Sequence, residues 1–89
     1  MHKIITIHYT PDFKKAYQKL PKEIQKAVDK KDKQFRENPY YPSLQTHKLG
    51  GPLHDLWSFF VTKSYRVLFE FLNGDAAIFY DVGTHDVYK

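Results

Sequence analysis

The chain has 89 residues, of which 42% are hydrophobic and 17% aromatic, with no cysteine and a formal net charge of +4. A chain this short holds one small core, so a single domain over residues 1–89 is expected. The missing cysteines exclude a disulfide framework, thiolate catalysis and thiolate metal sites; no leader pattern and no apolar run of membrane-spanning length is present, so a cytoplasmic protein without a membrane partner is expected.

The charge is unevenly placed. Residues 1–48 carry 11 Lys and Arg against 5 Asp and Glu, whereas residues 49–89 carry 3 against 5. A solvated, lysine-rich helical surface accounts for this as well as a footprint for a polyanion or an acidic partner segment does.

Ile4–Tyr9 (IITIHY) has the composition of a first strand, and regular alternation sets Ile5 and Ile7 against Ile4, Thr6 and His8. Thr10-Pro11 reads as an N-cap followed by proline at the first helical position, with Asp12 in the first turn, where negative charge is favourable. Phe13, Ala16, Tyr17 and Leu20 then recur at helical spacing, and Pro21 ends that helix. A second helix is predicted from Lys22 to Arg36. Ile24, Ala27, Val28 and Phe35 mark its apolar side, and Lys22, Lys26, Lys30 and Lys33 its outer one. Asn38-Pro39 closes it, Tyr40–Ser43 reads as an extended linker, and Gly50-Gly51-Pro52 as a turn.

Leu56–Val61, Tyr65–Leu72 and Ala76–Val82 are runs of aromatic and β-branched residues, which suit a pleated sheet. Asn73-Gly74-Asp75 signals a tight hairpin between the last two, because Asn and Gly tolerate positive φ. The order strand, helix, helix and three strands predicts an α+β fold: a small twisted, mostly antiparallel sheet of about four strands with an N-terminal helical hairpin packed on one face. Two helices also supply the crossover length for the first strand to pair in parallel with a later one.

The histidines His8, His47, His54 and His85 show no metal-ligand spacing, so neither a metal nor another cofactor is expected. Metal-free cleavage of RNA suits the side chains better. It needs a base near the ribose 2′-OH, an acid near the departing 5′ oxygen, and fixed positive charge around the phosphate. Imidazole titrates near neutrality, arginine offers a rigid fork to a phosphate, and tyrosine or tryptophan stacks an unpaired base. Arg66, His85, Tyr88, His47, Lys48 and Trp57 supply these groups. Each also has a plainer reading: Trp57 as core, Lys48 and Lys63 as surface charge, His85 as an exposed residue beside a Gly83-Thr84 turn, and Arg66 as the partner of an acid such as Glu70 on the same face.

The stretch WSF…YRVLFE…AIFYDVGTHDVY resembles the RelE/ParE superfamily of small bacterial toxins from type II toxin–antitoxin systems. So do FKKAYQKLP…IQKAVDKKDKQFRENP and the following PSLQTHKLGG, which extends the likeness from Tyr9 to Tyr88. The resemblance implies a cognate antitoxin that wraps the toxin and blocks its site, the pair binding operator DNA through the antitoxin. RelE-like members cut messenger RNA on the ribosome, whereas ParE-like members poison DNA gyrase and cut nothing. Arg66 matches an arginine that contacts the scissile phosphate in RelE-like enzymes, and Tyr88 matches their C-terminal catalytic tyrosine. His85 matches a catalytic histidine in a similar GTH segment of the YafQ-like branch, and His47, in HKLGG, matches a histidine of that branch. Phe60 departs from the pattern, standing where many relatives carry a basic residue or a histidine.

The resemblance thus implies a ribosome-dependent endoribonuclease with His85, Arg66, Tyr88 and His47 in catalytic places. Lys48, Lys63, Trp57 and His54 are the expected RNA contacts. The alternatives are a gyrase inhibitor on the same fold and an inactive protein that only binds its antitoxin.

Overall fold

The structure, a computed structural model, describes residues 3–53, 55–84 and 87. In chain order the elements are β1 (Thr6–Tyr9), α1 (Pro11–Gln18), α2 (Lys22–Glu37), β2 (His47–Lys48), β3 (Trp57–Phe60), β4 (Arg66–Phe71) and β5 (Ala76–Gly83). The strands form one sheet in the order β1-β5-β4-β3-β2. β1 runs parallel to β5 after the two-helix crossover, and every other neighbouring pair is antiparallel. The α+β expectation therefore holds, with a fifth strand added to the expected four. That strand, His47–Lys48, pairs only with Ser58 and Trp57 at the sheet edge and is too short to leave a hydropathy pattern.

The helix boundaries follow from local chemistry. Thr10 is extended and its Oγ1 accepts the Phe13 N–H at 3.0 Å, with Pro11 just inside the helix. The same hydroxyl donates to the Tyr80 carbonyl at 2.9 Å, which ties the start of α1 to β5. α2 stops at an extended Asn38, as the proline that follows requires. Instead of an extended linker, Pro42–Leu44 wind into a 3₁₀ turn, in which the Leu44 N–H donates to the Tyr41 carbonyl at 2.9 Å and Leu44 is driven into the core.

Phe35 of α2 is the centre of that core and is wholly buried. Its ring lies 5.1 Å from Phe59, 4.9 Å from Phe69 and 5.4 Å from Phe79, so one helix residue touches three strands. Burying a phenylalanine side chain is worth about 1.5–3 kcal/mol, and offset or edge-on ring contacts add to it. This cluster fixes α2 on one face of the sheet.

Two findings depart from simple strand alternation. Ile4 is 3% exposed and Ile5 is 68% exposed, the reverse of the expected pairing of Ile5 with Ile7. The Ile5 and Thr6 N–H groups both donate to the Asp75 carbonyl, at 2.7 and 3.3 Å. Two successive residues thus share one acceptor, the regular pleat begins only at Thr6, and Ile4 turns inward. At the other site, Phe69 pairs with Phe79 while Leu68 pairs with Asp81, so Tyr80 is an extra residue in β5.

β1 is also fastened to α2 by polar bonds. The Tyr9 hydroxyl donates to Asp32, Arg36 Nε donates to the other Asp32 oxygen at 2.8 Å, and Arg36 Nη2 reaches the Tyr9 hydroxyl at 3.2 Å. Burial and the bond to Asp32 push the Tyr9 phenol above its ordinary value, with Arg36 opposing. Among the described residues, no helix is long and apolar enough to cross a membrane.

Candidate active site

The β3–β4 hairpin is built to hold Arg66. Thr62 Oγ1 accepts the N–H groups of Ser64 and Tyr65, each at 3.2 Å, and the Val61 N–H donates to the Tyr65 carbonyl at 2.9 Å. These local bonds fix the turn and present the Lys63 carbonyl, which accepts from Arg66 Nη1 at 3.2 Å. Across the ladder Arg66 pairs with Phe60, and its guanidinium carbon lies 3.8 Å from the Phe60 ring centroid. A cation over an aromatic face gains about 0.5–1 kcal/mol at a partly exposed site and loses rotameric freedom. Phe60, a departure by its sequence, is the platform on which Arg66 rests. The alternative pairing of Arg66 with Glu70 does not form. Glu70 instead accepts the Tyr80 hydroxyl at 2.7 Å, and that bond, with burial adding, pushes the Tyr80 phenol above its ordinary value.

Strand registers sort the remaining groups by face. Phe59, Val67, Phe69, Phe79 and Val82 belong to the core beneath the helices, which puts Ser58, Phe60, Arg66, Leu68 and Glu70 on the face without α1 or α2, the open face, although Ser58 and Leu68 within it are themselves buried. His47 pairs with Ser58 and so shares the open face, two strand spacings or about 10 Å from β4 at the backbone. Its Nδ1 lies 2.9 Å from the Gln45 carbonyl. A carbonyl only accepts, so Nδ1 carries the proton and Nε2 is the nitrogen left to act on a substrate. Lys63 is exposed in the turn at the Arg66 end.

Lys48 and Trp57 are not part of this constellation. They pair with each other and lie on the helix side of the sheet, where half-buried Trp57 packs 5.0 Å from Phe71 and 6.2 Å from Tyr40. A two-residue edge strand decided this, because its register sends His47 to one face and Lys48 to the other. Trp57 and Lys48 therefore lie on the sheet face opposite to that of Arg66 and His47. His54, His85 and Tyr88 lie outside the described residues.

The end of β5 completes the open face. Gly83 stands opposite Arg66, and a Cβ added there would lie 3.0 Å from Val87 Cγ1. The Val87 N–H donates to the Thr84 carbonyl at 3.0 Å. Val87 is thus packed over a glycine in the same cross-strand row as Arg66. Phe79 and Val82 are both core residues, so the two residues between them, Tyr80 and Asp81, are turned to the open face. Asp81 Oδ1 accepts the Val82 N–H at 2.8 Å. Asp81 was missed from the sequence, although the spacing Ala77, Phe79, Val82 breaks period two and signals the bulge.

A separate groove of about 340 Å³ opens between α1 and α2, with Phe13, Tyr17 and Val28 in its wall and Asp29 and Asp32 on it. It lies on the helical side, away from Arg66. Among the described residues, no three side chains of the metal-ligating kind cluster.

No protein-family model matches the chain, and no curated protein sequence does. Solved structures match well over nearly the whole length. The YoeB/ParE toxin from Agrobacterium tumefaciens aligns with a TM-score of 0.77 and 14% identity, over 91% of this chain and 99% of that one. YafQ from Escherichia coli aligns with a TM-score of 0.77 and 14% identity, over 92% and 94% of the two chains. A chain of the RelBE2 toxin–antitoxin complex from Mycobacterium tuberculosis aligns with a TM-score of 0.75 and 20% identity, over 90% and 96%. The shared features are the helical hairpin and the mixed sheet it covers, so the chain has the fold of the RelE/ParE toxins.

Proposed function

We propose that the protein is the toxin of a type II toxin–antitoxin pair, a metal-free endoribonuclease that cuts messenger RNA on translating ribosomes in the cytoplasm. The observation that carries this reading is Arg66, held over Phe60 on the open face with His47 on the same face. A guanidinium fixed in advance stabilises the charge that develops on a phosphate without reorganising during the reaction. The ribose 2′ oxygen attacks its own phosphorus, the bond to the 5′ oxygen breaks, and the products are a cyclic phosphate and a 5′-OH. His85 is the leading proton-transfer group, Tyr88 a second or a stacking group, and His47 a further imidazole beside the path of the strand. The antitoxin partner is supported by the toxin–antitoxin complex among the structures that share the fold.

The test is cleavage of messenger RNA on purified translating ribosomes by the intact protein, Arg66→Ala and His85→Ala. Cutting by the intact protein and a loss of about 10²–10³-fold in the arginine variant support the reading; the histidine variant should lose at least ~10²-fold. Growth arrest without any RNA cutting would move the function to DNA gyrase, which is then checked by trapping gyrase on DNA. Antitoxin binding without growth arrest would leave an inactive binding protein.

A further inference from the structure

The β5 bulge turns a carboxylate toward the reaction face. In an unbroken strand, Phe79 facing the core would place Tyr80 outside, Asp81 inside and Val82 outside. The extra residue changes this: Val82 returns to the core, 3% exposed, and Asp81 joins Arg66 on the open face. Asp81 stands opposite Leu68, two residues along β4 from Arg66, so the two are diagonal cross-strand neighbours about 7–8 Å apart at the backbone. They do not form an ion pair, since Arg66 leans the other way, onto Phe60 and the Lys63 carbonyl. Gly83, opposite Arg66, has no side chain of its own, and Val87 Cγ1 lies over it. Bulges are used beside reaction centres to re-aim a side chain, and this one aims a carboxylate.

The carboxylate is also pre-oriented. Oδ1 accepts the Val82 N–H at 2.8 Å, which restrains the orientation of the group. A carboxylate beside a phosphate clamp repels the substrate in its ground state, a cost that proton uptake during the reaction offsets.

We propose that Asp81 is the general base of the ribonuclease reaction, an assignment that rests on the functional reading above. Oδ2 takes the proton from the ribose 2′-OH as the bond from that oxygen to phosphorus forms. The bond from phosphorus to the 5′ oxygen breaks, and that oxygen takes a proton from a general acid, the role proposed above for His85. Arg66 holds the non-bridging oxygens between them. This divides acid and base between two residues and explains why the one arginine on this face is left without an acidic partner among the described residues.

The test uses Asp81→Asn and Asp81→Ala in the intact protein, with messenger RNA on translating ribosomes as substrate. Asn keeps the Oδ1 acceptor for Val82 and the side-chain volume, whereas Ala removes both. The expected result is a fall in kcat of at least ~10²-fold in both variants, with KM unchanged or lower, and a lowered melting temperature in the Ala variant alone. Unchanged kcat in Asp81→Asn, while the intact protein cuts, overturns the assignment and leaves Asp81 as a brace for the bulge. If the intact protein itself does not cut, the ribonuclease reading fails first, and Asp81 falls with it.

Discussion

The guanidinium of Arg66 is held from two sides, 3.8 Å above the centre of the Phe60 ring and 3.2 Å from the Lys63 carbonyl. The ring acts through position rather than through chemistry, so its removal should cost less than removal of the arginine. Phe60→Leu keeps most of the apolar bulk and loses the cation–π contact, worth about 0.5–1 kcal/mol. Cleavage in that variant should fall about 2–5-fold, against about 10²–10³-fold for Arg66→Ala. Single-turnover cleavage rates on ribosome-bound messenger RNA check the ratio.

Gly83→Ala is a probe of the chain that follows β5. The new methyl would stand 3.0 Å from Val87 Cγ1, so the valine must give by a few tenths of an ångström. The expected outcome is lower cleavage with a melting temperature within a few degrees of the parent, because the core beneath β5 is untouched. A variant that cuts at the parental rate would show that this packing does not position catalytic groups.

The link between β1 and α2 sets a stability prediction. Tyr9→Phe removes the hydroxyl shared by Asp32 and Arg36 and leaves their ion pair in place. A hydrogen bond to a charged group contributes about 1.5–3 kcal/mol, reduced here because Asp32 keeps its arginine, so a loss of about 1–2 kcal/mol is expected. For a domain this small that is a fall of about 5–10 °C in melting temperature, read by circular dichroism.

The same hydroxyls set the response to alkaline pH. Tyr9 and Tyr17 are pushed above the ordinary tyrosine value of 10.0 first by burial, and Tyr80 first by its bond to Glu70. A raised value means that the folded state holds the proton more tightly than the unfolded chain does. The stabilisation is therefore complete below the unfolded value and is lost as pH rises through the folded ones. Urea midpoints should fall above about pH 10, and a Tyr9→Phe, Tyr80→Phe double variant should show a shallower fall over that range.

Phe35 offers the largest single effect. Truncating a buried phenylalanine to alanine costs about 3–5 kcal/mol, a large share of the total of about 5–13 kcal/mol for a chain of this length. Phe35→Ala should be largely unfolded at 37 °C, while Phe35→Leu stays folded with reduced stability. Urea denaturation of the two variants tests this.

The parts legible in the sequence are those with strong local causes. Thr10-Pro11, Pro21 and Asn38-Pro39 bound the helices because caps and proline act within a few residues. Gly74, at φ 68°, turns the hairpin as the Asn-Gly signal requires. What was not legible depends on register. Ile4 replaces Ile5 in the core because two amides share the Asp75 carbonyl, a tertiary bond with no local signature. The pairing of His47 with Ser58 separates two adjacent candidates, His47 and Lys48, onto opposite faces. Arg66 was identifiable as a clamp, whereas its platform, Phe60, reads as one more apolar residue until the strands are paired.

The most direct test of the central claim is a transcript-wide map of new 5′-OH ends after brief induction of the intact protein and of Arg66→Ala in bacteria. New ends inside translated reading frames, lost in the variant, are the predicted result, since the clamp on the open face is then required for cutting. Growth arrest with no new RNA ends in either strain would contradict it.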